Sequence, residues 1–94
     1  MKRKNEIFVD INVNRAAGYA LGLKTYEEQV KPFYVEGAIN IINLPSNLED
    51  VSISFVQGFT EELKEKYGWY AVVEETKFLA CSRVMEKFYT APLY

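Results

Sequence analysis

From Ile7 the chain alternates. Ile7, Val9, Ile11 and Val13 fall on one side, with Phe8, Asp10 and Asn12 on the other. Period-two alternation with β-branched residues predicts a half-buried strand over Ile7 to Val13. Asn14 offers an N-cap oxygen, and Tyr19, Leu23, Tyr26 and Val30 keep a 4-3-4 spacing that predicts an amphipathic helix from about Arg15 to Lys31. Gly18 and Gly22 lie one turn apart on it, which points to close packing against the sheet. Pro32 stops the helix, because the residue before a proline is steered out of the α region.

A second strand is expected over Ala38 to Asn43, followed by a loop from Leu44 to Asp50 punctuated by Pro45, Ser46 and Asn47. The next helix runs from about Ser52 to Tyr67. Phe55, Val56, Phe59, Leu63 and Tyr67 form its inner stripe; Gln57, Glu61, Glu62, Glu65 and Lys66 form its wet face. Gly68 supplies a C-terminal stop. Trp69 to Glu74 reads as a third strand. Thr76 caps a last helix to about Tyr89, with Phe78, Cys81, Met85 and Phe88 inward, so that Cys81 is a buried small hydrophobe.

The order β-α-β-α-β-α predicts an α/β fold with a mainly parallel sheet of three to four strands. Strands covered on both faces read as continuous apolar runs, whereas the first strand alternates, which implies a two-layer sandwich with the helices mostly on one face. Right-handed crossovers on one face give the strand order 1-2-3. The other face is left partly open, and a partner or a second copy, through Phe8, fits there. Residues 1–94 are expected to form a single domain with flexible ends at 1–6 and 90–94.

Composition then narrows the chemistry. At 94 residues, 49% hydrophobic and with six Phe, seven Tyr and one Trp, the chain has too much apolar surface to stay disordered. The longest nearly uncharged stretch, Gly37 to Leu48, is about half the ~20 residues a spanning helix needs. The start Met1-Lys2-Arg3-Lys4-Asn5-Glu6 leads into no apolar segment of a signal peptide. With one cysteine and no histidine, there is no internal disulfide, no Cys-based zinc site and no His-based catalysis. These features read as a cytoplasmic protein that is not an enzyme and carries no cofactor or metal. Between Glu27 and Thr76 ten acidic residues face three basic ones, and the net charge is −2, which argues against generic nucleic-acid binding.

The segment Leu44 to Phe55 carries the functional interest. It joins the C-terminal end of the middle strand to a helix N-terminus, the place where ligands gather in open α/β sheets and where free amides favour an anion. Ser52 and Ser54 are the candidate phosphorylation or anion-binding residues. Asn47, Glu49, Asp50, Phe55 and Gln57 are the candidate partner-binding residues.

A strand, a loop and then Val51-Ser52-Ile53-Ser54-Phe55-Val56-Gln57-Gly58-Phe59 opening a helix resembles the STAS domain, and more closely the prokaryotic STAS-like family of otherwise unknown function. Asn14-Arg15-Ala16-Ala17-Gly18 resembles that family's Arg-Ala/Gly-rich opening of the preceding helix. The likeness spans roughly Ile7 to Phe88. It implies a regulatory protein-interaction module of bacteria or phage that binds through residues 46–57. In anti-sigma-factor antagonists of the superfamily, a serine at this helix start is phosphorylated by an ATPase-fold partner kinase; by position that serine is Ser54. The chain has Ser52 and Phe55 where the superfamily's Asp-Ser-Ser-Gly pattern has Asp and Gly, and Asn43 near the place of an Asp at the end of the preceding strand. Two other readings stand beside this one: a small-ligand or nucleotide-phosphate binder at the same helix start, and a small mobile-element inhibitor acting through its acidic surface.

Overall fold

The computed structural model describes residues 2–90, without the side chains of residues 69–71. Among the described residues five strands and three α-helices follow one another: β1 (Lys4–Phe8), β2 (Arg15–Ala16), α1 (Tyr19–Gln29), β3 (Ile39–Asn43), β4 (Asp50–Val51), α2 (Ile53–Glu75), β5 (Thr76–Leu79) and α3 (Ser82–Thr90), with a 3-10 turn at Lys31–Phe33. The main sheet is parallel in the order β1-β3-β5, which is the stepwise order expected of same-face crossovers. A second, two-stranded parallel sheet joins β2 to β4. The molecule is therefore a small α/β domain with helices packed on a mostly parallel sheet.

The sheet's two faces differ as the alternation requires. Ile7, Ile42, Thr76 and Phe78 point inward and are buried, while Phe8, Lys77 and Leu79 point outward and are exposed. Inside, Phe55, Phe59, Phe78 and Phe88 form the aromatic centre. Phe78 stacks on Phe88 at 4.6 Å between centroids, and Phe59 meets Phe88 edge-on at 5.2 Å. The buried Asn40 keeps its amide satisfied, accepting from the Val35 amide and Asn5 Nδ2 and donating to the Val35 and Ala38 carbonyls.

Two glycines set the spacing of the helices. Gly22 of α1 lies against the Phe55 carbonyl of α2, and Gly58 of α2 lies against the Tyr19 carbonyl of α1. A Cβ at either place would fall inside the neighbouring main-chain oxygen, so the two backbones touch where no side chain fits. Gly22 therefore packs closely on a helix and not on the sheet.

Several local expectations are corrected. The first strand begins at Lys4, within the stretch expected to be a chain end. It closes at Phe8, although Val9 and Ile11 stay buried and the Val9 amide still reaches the Asn43 carbonyl at 2.9 Å. Val13 is exposed. The first helix starts at Tyr19, not Arg15, because Arg15 and Ala16 give their backbone to β4; Asn14 caps nothing, and its carbonyl takes the Glu49 and Asp50 amides instead. Gly18, at φ 101°, turns the chain into the helix.

The predicted third strand, Trp69 to Glu74, is helical. Gly68, at φ 80° and ψ 152°, breaks α2, which then resumes to Glu75. The period-two pattern that makes a strand lies one step later, in Thr76-Lys77-Phe78-Leu79. Thr76 thus opens a strand and closes α2 as its C-cap, its amide donating to the Val72 carbonyl, and it is not the N-cap of the last helix, which starts at Ser82. Cys81 is exposed in the turn before it, its thiol 3.5 Å from the Leu48 carbonyl. Within the expected C-terminal end, Thr90 closes α3, and residues 91–94 lie outside the described residues.

Gly58→Ala is expected to lower stability by about 1–3 kcal/mol despite alanine's better helix propensity, because the helices must separate. For a domain of this size that is a fall of roughly 4–8 °C in Tm per kcal/mol, readable by thermal circular dichroism. An unchanged or raised Tm would contradict the backbone contact.

Candidate functional site at the start of the second helix

The C-terminal ends of β1 and β3 lead into residues 9–18 and 44–52, and these two connections meet as β2 and β4. Arg15 pairs with Asp50 and Ala16 with Val51, so the Asn14–Gly18 and Val51–Phe55 segments lie together although more than thirty residues apart in the chain.

Ser52 is the knot. It is the N-cap of α2, where its Oγ accepts from the Phe55 amide at 3.0 Å. The same oxygen accepts from the Gly18 amide at 3.0 Å, and the Ser52 amide donates to the Ala16 carbonyl at 2.9 Å. With both lone pairs of Ser52 Oγ in use, its proton goes to Ser54 Oγ, 3.1 Å away. Ser52 is thus committed to holding α1, β2 and α2 together. Ser54 is exposed in the first turn of α2, and its hydroxyl proton is free to point outward.

Asp50 forms a second knot. Its Oδ1 takes Lys87 Nζ at 2.7 Å and the Val51 amide at 2.9 Å, and its Oδ2 lies 3.5 Å from Arg15 Nε. Lys87 also donates to the Val51 carbonyl at 2.8 Å, which ties α3 to β4. The Lys87 ammonium holds the Asp50 carboxyl below its usual range. Away from this site, Lys31 does the same for Glu62, and burial pushes the Tyr26 phenol up.

The candidate partner-binding residues separate into roles. Glu49 and Asn47 are exposed, but the Asn47 amide donates to the Ile11 and Val13 carbonyls and fastens the loop. Asp50 and Gln57 are half-buried. Phe55 is fully buried in the aromatic centre, on the side of α2 that faces the core. Ile53, between the two serines, is 46% exposed instead. Val13, Tyr19 and Leu21 are exposed around the start of α1. A hollow of about 300 Å³ beside the site is lined by Asn14, Arg15, Glu49, Asp50 and Arg83.

Arg83, Lys87 and Ile53 belong to this corner without any mark in the sequence that assigns them to it. Nothing local links Lys87 to Asp50 at 37 positions' separation. Ile53 was legible only as a helix-start residue between two hydroxyls. Among the described residues no cluster of His, Cys, Asp and Glu is placed to hold a metal, and no helix is long and apolar enough to cross a membrane. No family model matches the chain, and neither a curated protein nor a solved structure does.

Ser52→Ala is expected to cost about 1–2 kcal/mol by orphaning two amides, while Ser54→Ala costs a few tenths; urea unfolding separates them. For Asp50, a folded pKa below the unfolded one means stability that is full above about pH 4 and lost as pH falls through the folded value. Asp50→Asn is expected to flatten that acid limb of unfolding free energy against pH, with Glu62 keeping its own share. A limb as steep as wild type would show that the Asp50 ion pairs contribute nothing.

Proposed function

We propose that the protein is a non-catalytic interaction module of the STAS-like kind, binding a protein partner across residues 46–57, with Ser54 as the position where phosphorylation switches binding. The observation that carries this reading is the division of labour between the two serines. Ser52 is consumed by the fold, whereas Ser54 stands exposed beside it, one hydrogen bond from the knot.

The surroundings suit recognition. Exposed Ile53 and the apolar side chains of Val13, Tyr19 and Leu21 supply contact area, and Glu49 and Gln57 supply a polar rim. A phosphate on Ser54 adds about −1.5 to −2 charge in the first turn of a helix, where the dipole tolerates it. The fold stays intact, and the surface that already holds Glu49 and Asp50 becomes strongly negative. An acidic partner is then repelled, and a partner such as an ATPase-fold kinase or another regulator can be released by the modification.

A second reading, a small anion at the same helix start, draws on Arg15 and Arg83 lining the hollow. Glu49 and Asp50 line it too, and Asp50 already engages Arg15, so the protein-binding reading is the better supported.

Capture from lysate of the source cells, with wild type, Ser54→Ala and Ser54→Glu compared by mass spectrometry, tests the proposal. A partner held by wild type and Ser54→Ala and lost by Ser54→Glu, with Tm unchanged within about 2 °C, is the expected result. Identical captures by all three would end the switch reading. No capture, together with amide shifts at Ile53 and Ser54 on titrating inorganic phosphate, would favour the anion.

A further inference from the structure

The two edges of the main sheet are finished differently. On β5, Thr76 and Phe78 turn their amides away from β3, and both are occupied: Thr76 donates to the Val72 carbonyl and Phe78 to the Tyr89 hydroxyl at 3.3 Å. On β1, the odd residues serve β3, as the bonds from the Ile39 amide to the Arg3 carbonyl and from the Val9 amide to the Asn43 carbonyl show. The even residues therefore face outward. At Asp10 this outward edge is closed by the Gln29 side chain, whose amide accepts from the Asp10 N–H at 2.6 Å and donates to its carbonyl at 2.8 Å. Lys4, Glu6 and Phe8 have no such cover among the described residues. Their main-chain groups form a short, bare strand edge.

The side chains along this edge carry opposite charges, and neither Lys4 nor Glu6 makes an ion pair among the described residues. Phe8, next on the same face, is 73% exposed, and Phe33, whose carbonyl accepts Asn5 Nδ2, stands 60% exposed beside the strand. Phe8 and Phe33, with Asn5, Glu6 and Ile7, line an open groove of about 360 Å³ along the edge.

We propose that this edge pairs with the same edge of a second copy, antiparallel about a two-fold axis at Asn5, to make one continuous six-stranded sheet. The charges select that register. Centring the axis on Lys4 sets Lys4 against Lys4, and centring it on Glu6 sets Glu6 against Glu6. Centring it on Asn5 sets each Lys4 opposite the second copy's Glu6, in positions where both residues point their amide and carbonyl across the gap. Each Phe8 then lies opposite the second copy's Lys2, whose methylene stem can cover the ring. Phe33 of each copy comes to the axis beneath the Asn5 pair. The open faces of both sheets merge into a single surface carrying Phe8, Ile41 and Leu79 from each copy. The Gln29 cap ends the pairing at Asp10, which keeps the contact short and closed and prevents open-ended strand addition.

Sedimentation equilibrium of wild type, Lys4→Glu, Glu6→Lys and an equimolar mixture of the two variants tests the proposal. Both side chains are exposed and unpaired, so the variants keep the fold, which circular dichroism checks. Wild type is expected to dimerise. Each single variant faces like charges at both pairs and is expected to weaken the dimer by about tenfold or more. The mixture sets the two carboxylates of one variant against the two ammonium groups of the other, so opposite charges meet again at both pairs. It is expected to return to wild-type affinity as a heterodimer. A wild type that stays monomeric up to on the order of 100 μM overturns the proposal. So does a dimer indifferent to the single variants, or a mixture that fails to recover.

Discussion

The contact between the backbones of α1 and α2 is the constraint on which the rest of the architecture depends. Gly22 and Gly58 each receive a main-chain carbonyl of the opposite helix, so the two helices lie closer than any side chain between them would permit. That proximity brings both helices onto one face of a sheet of only three strands. It leaves the other face open, and it carries the start of α1 to the start of α2. Close packing here is a condition for the polar contacts that follow, because hydrogen bonds near 3 Å tolerate little displacement.

The polar contacts then give the helix start its two characters. One hydroxyl, on Ser52, takes the Gly18 and Phe55 amides and leaves no valence unused. Two residues on, the Ser54 hydroxyl is exposed and accepts only from its neighbour. Asp50, bound by Lys87 and Arg15, pins the same corner to α3. A surface supported in this way can change its charge at Ser54 without unfolding the elements behind it. This separation of support from display is what the interaction-module reading rests on.

Much of the fold was legible in the chain, and the failures have physical causes. Parallel order, one covered face and the buried stripe of α2 follow from periodicity, since Ile7, Ile42, Phe55, Phe59 and Leu63 are all in the core. The span Trp69–Glu74 has strand-like composition, yet a glycine at positive φ let the helix resume, and pattern outweighed propensity only at Thr76–Leu79. Arg15 and Ala16 fit a helix start locally; a strand partner 35 positions away took them instead. At the site, Ser52 and Ser54 were visible from cap chemistry, whereas Lys87 was not, because an ion pair across three elements leaves no local signature. Phe55 belongs at once to the serine motif, which suggests a partner contact, and to the inner stripe, and its burial in the core follows the stripe.

Ser52 couples the starts of α1 and α2, while Ser54 only decorates them. Amide hydrogen exchange followed by NMR at Gly18 and Phe55 tests this most directly. Both amides are expected to be protected in the wild type and in Ser54→Ala, and Ser52→Ala is expected to release both together while the Ile42 amide in the sheet stays protected. A Gly18 amide that exchanges freely in the wild type, or protection at Gly18 and Phe55 that survives loss of the Ser52 hydroxyl, would contradict it.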